Sequence, residues 1–200
     1  MNYARIYESI RTLAPALGGV LSYADCAGIV AAGSALKNSR ALTRLVREGL
    51  LTRVQKGTYI TKDCNLWMLA SRISKDSYIS MDSALAAEGL CGTVPAHSVS
   101  AVHAGRNRTI ETPFGTIYFH AMAKTLFFGL KVLPSGVRVA DAEKAFLDLL
   151  YYYTKGTRFV IDPLREIDVS KFDVKKLENY LRHYKNPKFI TFVKGVLHER

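Results

Sequence analysis

Acidic residues are scarce in this chain: 17 Asp and Glu stand against 28 Lys and Arg over 200 residues, a formal charge of +11. Such a balance favours a polyanionic partner, whether DNA, RNA or an acidic protein. Cysteine is rarer still. Cys26, Cys64 and Cys91 are odd in number, far apart and set in apolar sequence, which excludes a disulfide framework and fits small buried side chains in a reducing compartment. No apolar run approaches the roughly 20 residues of a membrane span. Arg5, Glu8 and Arg11 interrupt the start of the chain where a signal peptide needs an apolar stretch, so the chain reads as cytoplasmic. His97, His103 and His120, even with Cys91, lack the close spacing of a zinc site. There is no phosphate-binding loop and no Ser/His/Asp or Cys/His constellation. No catalytic residue is assigned, and no metal or cofactor is expected.

What is present is concentrated near the N-terminus. From Leu36 to Gly49 the apolar residues Leu42, Leu45 and Val46 share one side of a helix, which Gly49 closes. Lys37, Arg40, Arg44 and Arg47 share the opposite side. Two extended runs follow, 50–54 and 58–61, joined by a tight turn at Gln55-Lys56-Gly57. Upstream, Ile6, Ile10 and Leu13 mark a first helix that ends at Pro15 and Gly18-Gly19. Val20-Leu21 is extended, and Ser22 with Asp25 opens a short helix to about Val30. A turn at 32–34 follows, after which Asn38 and Ser39 are both able to cap the basic helix. Helix, strand, helix, turn, helix and two-stranded wing is the order of a winged helix-turn-helix. Residues 1–62 hold nine Lys and Arg against three Asp and Glu, so the basic excess is densest here. The residues expected to face duplex DNA are Lys37, Asn38, Ser39, Arg40, Thr43, Arg44 and Arg47, with Arg53, Gln55 and Lys56 on the wing.

From residue 63 onward the elements alternate. Helices are expected over 65–73, 81–90, from Asp141 to 153, from Asp173, and from Pro187. Extended segments fall at 78–79, 98–103 and 137–139, and a hairpin spans 108–120 around Pro113-Phe114-Gly115. Asp141, Glu143, Lys144 and Asp148 lie within two helical turns, a set that a metal-dependent nuclease would find useful. The simpler reading makes Asp141 a cap, places Glu143 at the positive helix end, and pairs Lys144 with Asp148 on the solvent face. The fold class is α+β: a winged helix over 1–62, then over 63–200 a mixed α/β domain with a small antiparallel sheet flanked by helices.

Three stretches carry a resemblance. Tyr78-Ile-Ser-Met-Asp-Ser-Ala-Leu85, Glu111-Thr-Pro-Phe-Gly115 and Arg138-Val-Ala-Asp-Ala-Glu-Lys-Ala-Phe-Leu-Asp-Leu-Leu150, in this order behind a winged helix, resemble the AbiEi family over roughly residues 5–153. These are antitoxins and transcriptional regulators of type IV abortive-infection toxin–antitoxin systems. The resemblance implies a winged helix that binds inverted repeats in its own promoter and represses the operon. It also implies a second domain that counteracts a nucleotidyltransferase-like toxin without a stable complex. Paired protomers on the operator fit that picture. The basic residues Arg72, Lys75, Arg106, Arg108, Lys124, Lys131 and Lys144 are read as exposed. They are the candidates for the antitoxic role, by competing for a polyanionic toxin substrate; a plain solvated surface is the other reading. The alternative function is a winged helix that merely delivers a nucleic-acid-processing or ligand-sensing domain.

Overall fold

The computed structural model describes residues 3–31, 33–92 and 97–198. Helix α1 (Tyr3–Leu13) buries Ile6 and Ile10, one turn apart. Pro15 ends it and opens a 3-10 turn, Pro15–Leu17, which Gly18 closes at φ 60. Gly18 and Gly19 are required by close approach as well as by positive φ. A Cβ on Gly18 would lie 2.8 Å from Met68 Cγ, and one on Gly19 would lie 2.6 Å from Cys64 Cα.

Strand β1 (Val20–Ser22) leads into helix α2 (Tyr23–Val30), then helix α3 (Ala35–Arg47) and the hairpin β2 (Thr52–Gln55) and β3 (Thr58–Ile60). The sheet order is β1-β3-β2, antiparallel throughout. α2 opens with a reciprocal cap: Ser22 Oγ accepts from the Asp25 N–H while the Asp25 carboxylate accepts from the Ser22 N–H. α3 starts earlier than expected. Ser34, in extended backbone, accepts from the Lys37 N–H, so Asn38 and Ser39 lie inside the helix and do not cap it. The turn expected at 32–34 includes Ala32, which lies outside the described residues. Ile6, Ile10, Leu21, Cys26, Val30, Ala41, Leu42, Leu45 and Leu51 form one buried cluster under these helices.

Helix α4 (Leu66–Ile73) follows, capped by Asn65, whose side chain accepts from the Trp67 and Met68 N–H groups. Then come β4 (Tyr78–Ile79), α5 (Met81–Ala87), β5 (Ser98–His103), β6 (Arg108–Thr112), β7 (Gly115–Ala121), β8 (Leu130–Val132) and β9 (Arg138–Ala140). Helices α6 (Ala142–Tyr153), α7 (Val174–Leu181) and α8 (Pro187–His198) complete the chain. The α+β class is as expected. The second sheet goes further than the small antiparallel one expected: it has six strands in the order β6-β7-β5-β4-β9-β8, and β5–β7 and β4–β9 run parallel. Both parallel pairs join strands separated in sequence, which local hairpin signals do not reveal.

The two parts of the chain share buried surface. Val20 and Ile60, from β1 and β3, belong to the same apolar cluster as Leu69, Ala70, Tyr78 and the core of the larger sheet. Asn65 N–H donates to Gly18 O at 2.7 Å, and Thr61 N–H donates to Gly19 O at 2.9 Å. Across the same junction Arg72 lies 3.6 Å from Asp25.

Helix α6 is buried around most of its circumference, with Ala145, Phe146, Leu147, Leu149 and Leu150 at 1% exposure or less. The pairing of Lys144 with Asp148 is present, but its placement corrects the expectation of a solvent-facing pair, because both side chains are wholly buried. Lys144 Nζ donates to Asp148, lies 3.3 Å from the Tyr184 hydroxyl, and sits 4.6 Å from the Phe128 ring centroid. Asp148 Oδ2 accepts from the Tyr78 hydroxyl at 3.0 Å and the Ser80 hydroxyl at 2.8 Å. The charge is tolerated in the core because it is neutralised and its polar atoms are bonded. Burial and the Asp148 charge push the Tyr78 and Tyr184 phenols well above their usual range, so both stay neutral, Tyr78 donating to Asp148 and Tyr184 accepting from Lys144. With its hydroxyl committed to Asp148, Ser80 makes no side-chain cap for α5. The next residue, Met81, is fully buried at φ 54, a strained backbone that the anchored Ser80 helps to hold.

Lys144→Met leaves a buried carboxylate unpaired and is expected to cost about 3–5 kcal/mol in chemical denaturation. Lys131→Ala, which removes a solvated pair with Glu88, should stay within about 0.5 kcal/mol. Equal costs would contradict the burial of the first pair. His120 packs on Tyr152 with ring centroids 4.8 Å apart, and burial together with the nearby His103 pushes it down to about 4. Its folded value lies below the unfolded value of about 6.5, so its contribution is full above that pH and is lost as pH falls towards the folded value. Thermal melts across this acidic window should therefore fall less steeply for His120→Phe than for the unaltered protein.

Candidate nucleic-acid interface

α3 carries the basic face, and its C-terminus shows why the face is well defined. Gly49 at φ 75 lets the Leu50 N–H turn back to Leu45 O, which ends the helix cleanly and starts the chain toward the wing. Ala41, Leu42 and Leu45 anchor one side in the core. Leu36, Arg40, Thr43 and Arg47, at successive spacings of four, three and four, form the outermost stripe, and all four are exposed. The side chains of Arg40 and Arg47 make no ion pair or hydrogen bond among the described residues.

Two grooves flank this stripe. On the wing side, about 710 Å³ of space is bounded by Ser39 and Thr43 of α3 and by Arg53 and Lys56 of the hairpin. On the α1 side, a groove of about 390 Å³ gathers Lys37, Arg40, Arg44 and Arg47 beside Tyr3. Of the ten residues expected to face DNA, the structure thus places eight around one surface. Asn38 and Gln55 are placed differently. Asn38 is half-buried and shares the helix side of Leu42 and Leu45, because it lies four and seven residues before them. Gln55, at the end of β2, turns toward the partner strand β3, with Nε2 3.5 Å from Thr58 Oγ1.

The side chains missed by sequence spacing come from α1 and the end of α3. Arg44 Cζ lies 3.9 Å from the centroid of the Tyr3 ring, and Arg44 Nε donates to Glu48 at 2.6 Å. The Tyr7 hydroxyl donates to the other oxygen of Glu48. Hydrogen bonds from Tyr7 and then Arg44 hold the Glu48 carboxyl below the usual range, while the same contact raises the Tyr7 phenol. The Arg44/Glu48 pair is visible at i,i+4 in the sequence; the tyrosines are not, since they reach it by helix packing. Leu36, a large apolar side chain 62% exposed on the outer stripe, was missed as well.

The seven basic candidates of the second part do not form one patch. Lys75, Arg106 and Arg108 line a groove of about 670 Å³ with His103 and Asp76. Buried His103 braces this groove: its Nε2 is 2.7 Å from Arg106 O, and its Nδ1 is 3.4 Å from Ser74 Oγ. A Cβ on Gly105 would strike the same ring at 2.5 Å, so the loop lies flat on the histidine. Arg108 sits over Phe119 at 4.9 Å. Lys124 pairs with Asp76, Lys131 with Glu88, and Arg72 faces Asp25. Lys144 is corrected outright: at 0% exposure it presents nothing to a partner, because Asp148, Tyr184 and Phe128 enclose it.

The carboxylates weighed for nuclease chemistry are divided between two networks. Asp141 caps α6, accepts from the Tyr180 hydroxyl at 2.7 Å and pairs with Lys176 at 3.2 Å. Glu143 takes the same lysine at 2.7 Å, and Asp148 belongs to the buried cluster. Burial works to lower the Lys176 amine, and hydrogen bonds to Glu143 and Asp141 overcome it and raise it. Among the described residues no three His, Cys, Asp or Glu side chains gather as a metal ion requires.

Comparison with known proteins fits this geometry. The crystal structure of the RV2827C protein from Mycobacterium tuberculosis superposes with a TM-score of 0.61 at 15% identity, covering 95% of this chain and 75% of that one. At that identity the likeness is one of fold. No curated protein matches the sequence. Residues 8–61, from within α1 to the end of the wing, match the family described as transcriptional regulator, AbiEi antitoxin. The match bears out the resemblance to the AbiEi family over residues 8–61, the segment with the basic face; the stretches 78–85, 111–115 and 138–150 lie outside it.

Proposed function

We propose that this chain is a DNA-binding autorepressor and the antitoxin of a type IV toxin–antitoxin system, acting in the cytoplasm against a nucleotidyltransferase-like toxin. The observation that carries the reading is the outer stripe of α3, with Arg40 and Arg47 exposed and without an ion pair among the described residues, beside a wing bearing Arg53 and Lys56. It lies inside the segment that matches a transcriptional-regulator family. A helix diameter of about 10–12 Å fits the major groove, and the hairpin then meets the adjacent backbone. Lys37, Ser39, Arg40, Thr43, Arg44 and Arg47 face the groove, and Arg53 and Lys56 contact phosphate. Two protomers on an inverted repeat multiply the few contacts that one winged helix offers.

The chain divides functionally near residues 61–66, with antitoxicity in 63–200. Lys75, Arg106 and Arg108, held together by the His103 brace, are the groups that carry it, by occupying a polyanionic substrate of the toxin. Because Val20 and Ile60 share a core with Leu69 and Ala70, the two roles are best separated by surface substitutions rather than by cutting the chain.

Anisotropy titrations of the intact protein on its own promoter duplex test the DNA role. Arg40→Ala with Arg47→Ala should weaken binding by at least tenfold and reduce the salt slope by about two. Unchanged affinity and slope would remove α3 from the interface. Co-expression with the toxin tests the second role. The same double variant should still protect cells, whereas alanine at Lys75, Arg106 and Arg108 together should abolish protection and leave the thermal melt within a few degrees of the unaltered protein. Protection that survives the triple substitution would exclude this groove.

A further inference from the structure

Only three acidic residues occur in 1–62, and one of them, Glu48, stands at the end of the helix proposed to meet a polyanion. The position is unfavourable twice over. A carboxylate at a helix C-terminus opposes the helix dipole, and a negative charge at a DNA-facing surface repels phosphate. The structure shows what the residue does there. One oxygen holds Arg44 Nε at 2.6 Å, the other accepts from the Tyr7 hydroxyl, and Tyr3 lies 3.9 Å beneath the guanidinium carbon.

Resting on the winged-helix reading above, we infer that Glu48 is a specificity-determining residue of the DNA face. It acts as a positioning residue, by fixing and neutralising Arg44. Arg40 and Arg47, exposed on the same helix, have no ion-pair partner among the described residues and are open to phosphate from several directions. Arg44 is different in kind. Its Nε donor is occupied by Glu48, and its guanidinium carbon lies over the Tyr3 ring, so the side chain is held between a carboxylate and a ring. A guanidinium held in this way loses little entropy when it meets a matching pair of acceptors, and gains little from acceptors placed elsewhere. The Arg44/Glu48 pair also carries no net charge, so it adds nothing to sequence-independent attraction. Discrimination is thereby concentrated at Arg44, and general affinity at Lys37, Arg40 and Arg47.

The test compares intact protein on its own promoter duplex and on a scrambled duplex of the same length, across a series of salt concentrations. Glu48→Ala should tighten binding to the scrambled duplex about five- to tenfold and steepen its salt slope by about one, since one arginine is released. Promoter binding should weaken, so the promoter-to-scrambled ratio falls by about tenfold or more. Glu48→Gln keeps an acceptor for Arg44 and should lose less of the ratio, and Tyr7→Phe should move it in the same direction by a smaller amount. In an Arg44→Ala background, Glu48→Ala should leave the ratio nearly unchanged. A ratio that survives Glu48→Ala, in protein whose thermal melt is intact, overturns the inference while leaving the operator reading in place. It is overturned in the same way if the substitution changes the ratio equally with and without Arg44. If the unaltered protein shows no preference for the promoter, the operator reading falls, and this inference falls with it.

Discussion

The contact between the Gly18-Gly19 corner and the segment 61–68 governs how the rest of the molecule is arranged. Two glycines admit Cys64 and Met68 to within a distance that any side chain would block, and two backbone hydrogen bonds fasten the approach. Val20 and Ile60 are thereby sealed against α4, and the inner edge of the small sheet becomes part of the larger core. A flexible tether would leave the basic helix free to rotate relative to the second part. Here Arg72 and Asp25 face each other across the junction, and the small sheet beside the basic helix shares the core of the second part.

Inside the larger part, the Lys144–Asp148 pair plays a comparable role at a smaller scale. It ties α6 to the strand-to-helix turn at Tyr78–Met81 and to Tyr184 beyond α7. A buried ion pair adds little net stability compared with a well-packed apolar substitute, and its value lies in allowing only one arrangement of the elements it bonds. Three segments distant in sequence share those two charges, and a misplaced register would leave at least one of them unpaired. The strained Met81 backbone is a local cost that this arrangement holds in place.

Much of the winged helix was legible because its signals are local. The Ser22/Asp25 cap, the stop at Pro15, the glycine after α3 and the hairpin turn each act within a few residues. The basic stripe followed from the same 3.6-residue period that placed Leu42 and Leu45 in the core. The polarity of Asn38 suggests exposure, whereas its phase puts it with the buried leucines and it is half-buried. The clamp on Arg44 joins residues 41 positions apart, a distance over which spacing carries no information. Lys144 and Asp148 show the reverse difficulty: an i,i+4 charge pair looks alike on a solvated face and in a core, and only the packing of Phe128 and Tyr184 over it separates the two. The parallel pairings of the large sheet were hidden for the same non-local reason.

The central claim is that α3 and the wing form one DNA-binding surface on a rigid body. Hydroxyl-radical footprinting of the intact protein on its own promoter addresses it most directly. The expected result is protection of the phosphates on both edges of one major groove per protomer, with a short flanking protection where Arg53 and Lys56 lie, and no such pattern on a scrambled duplex. Uniform protection of both duplexes, or none at protein concentrations where the protein is folded, would contradict it.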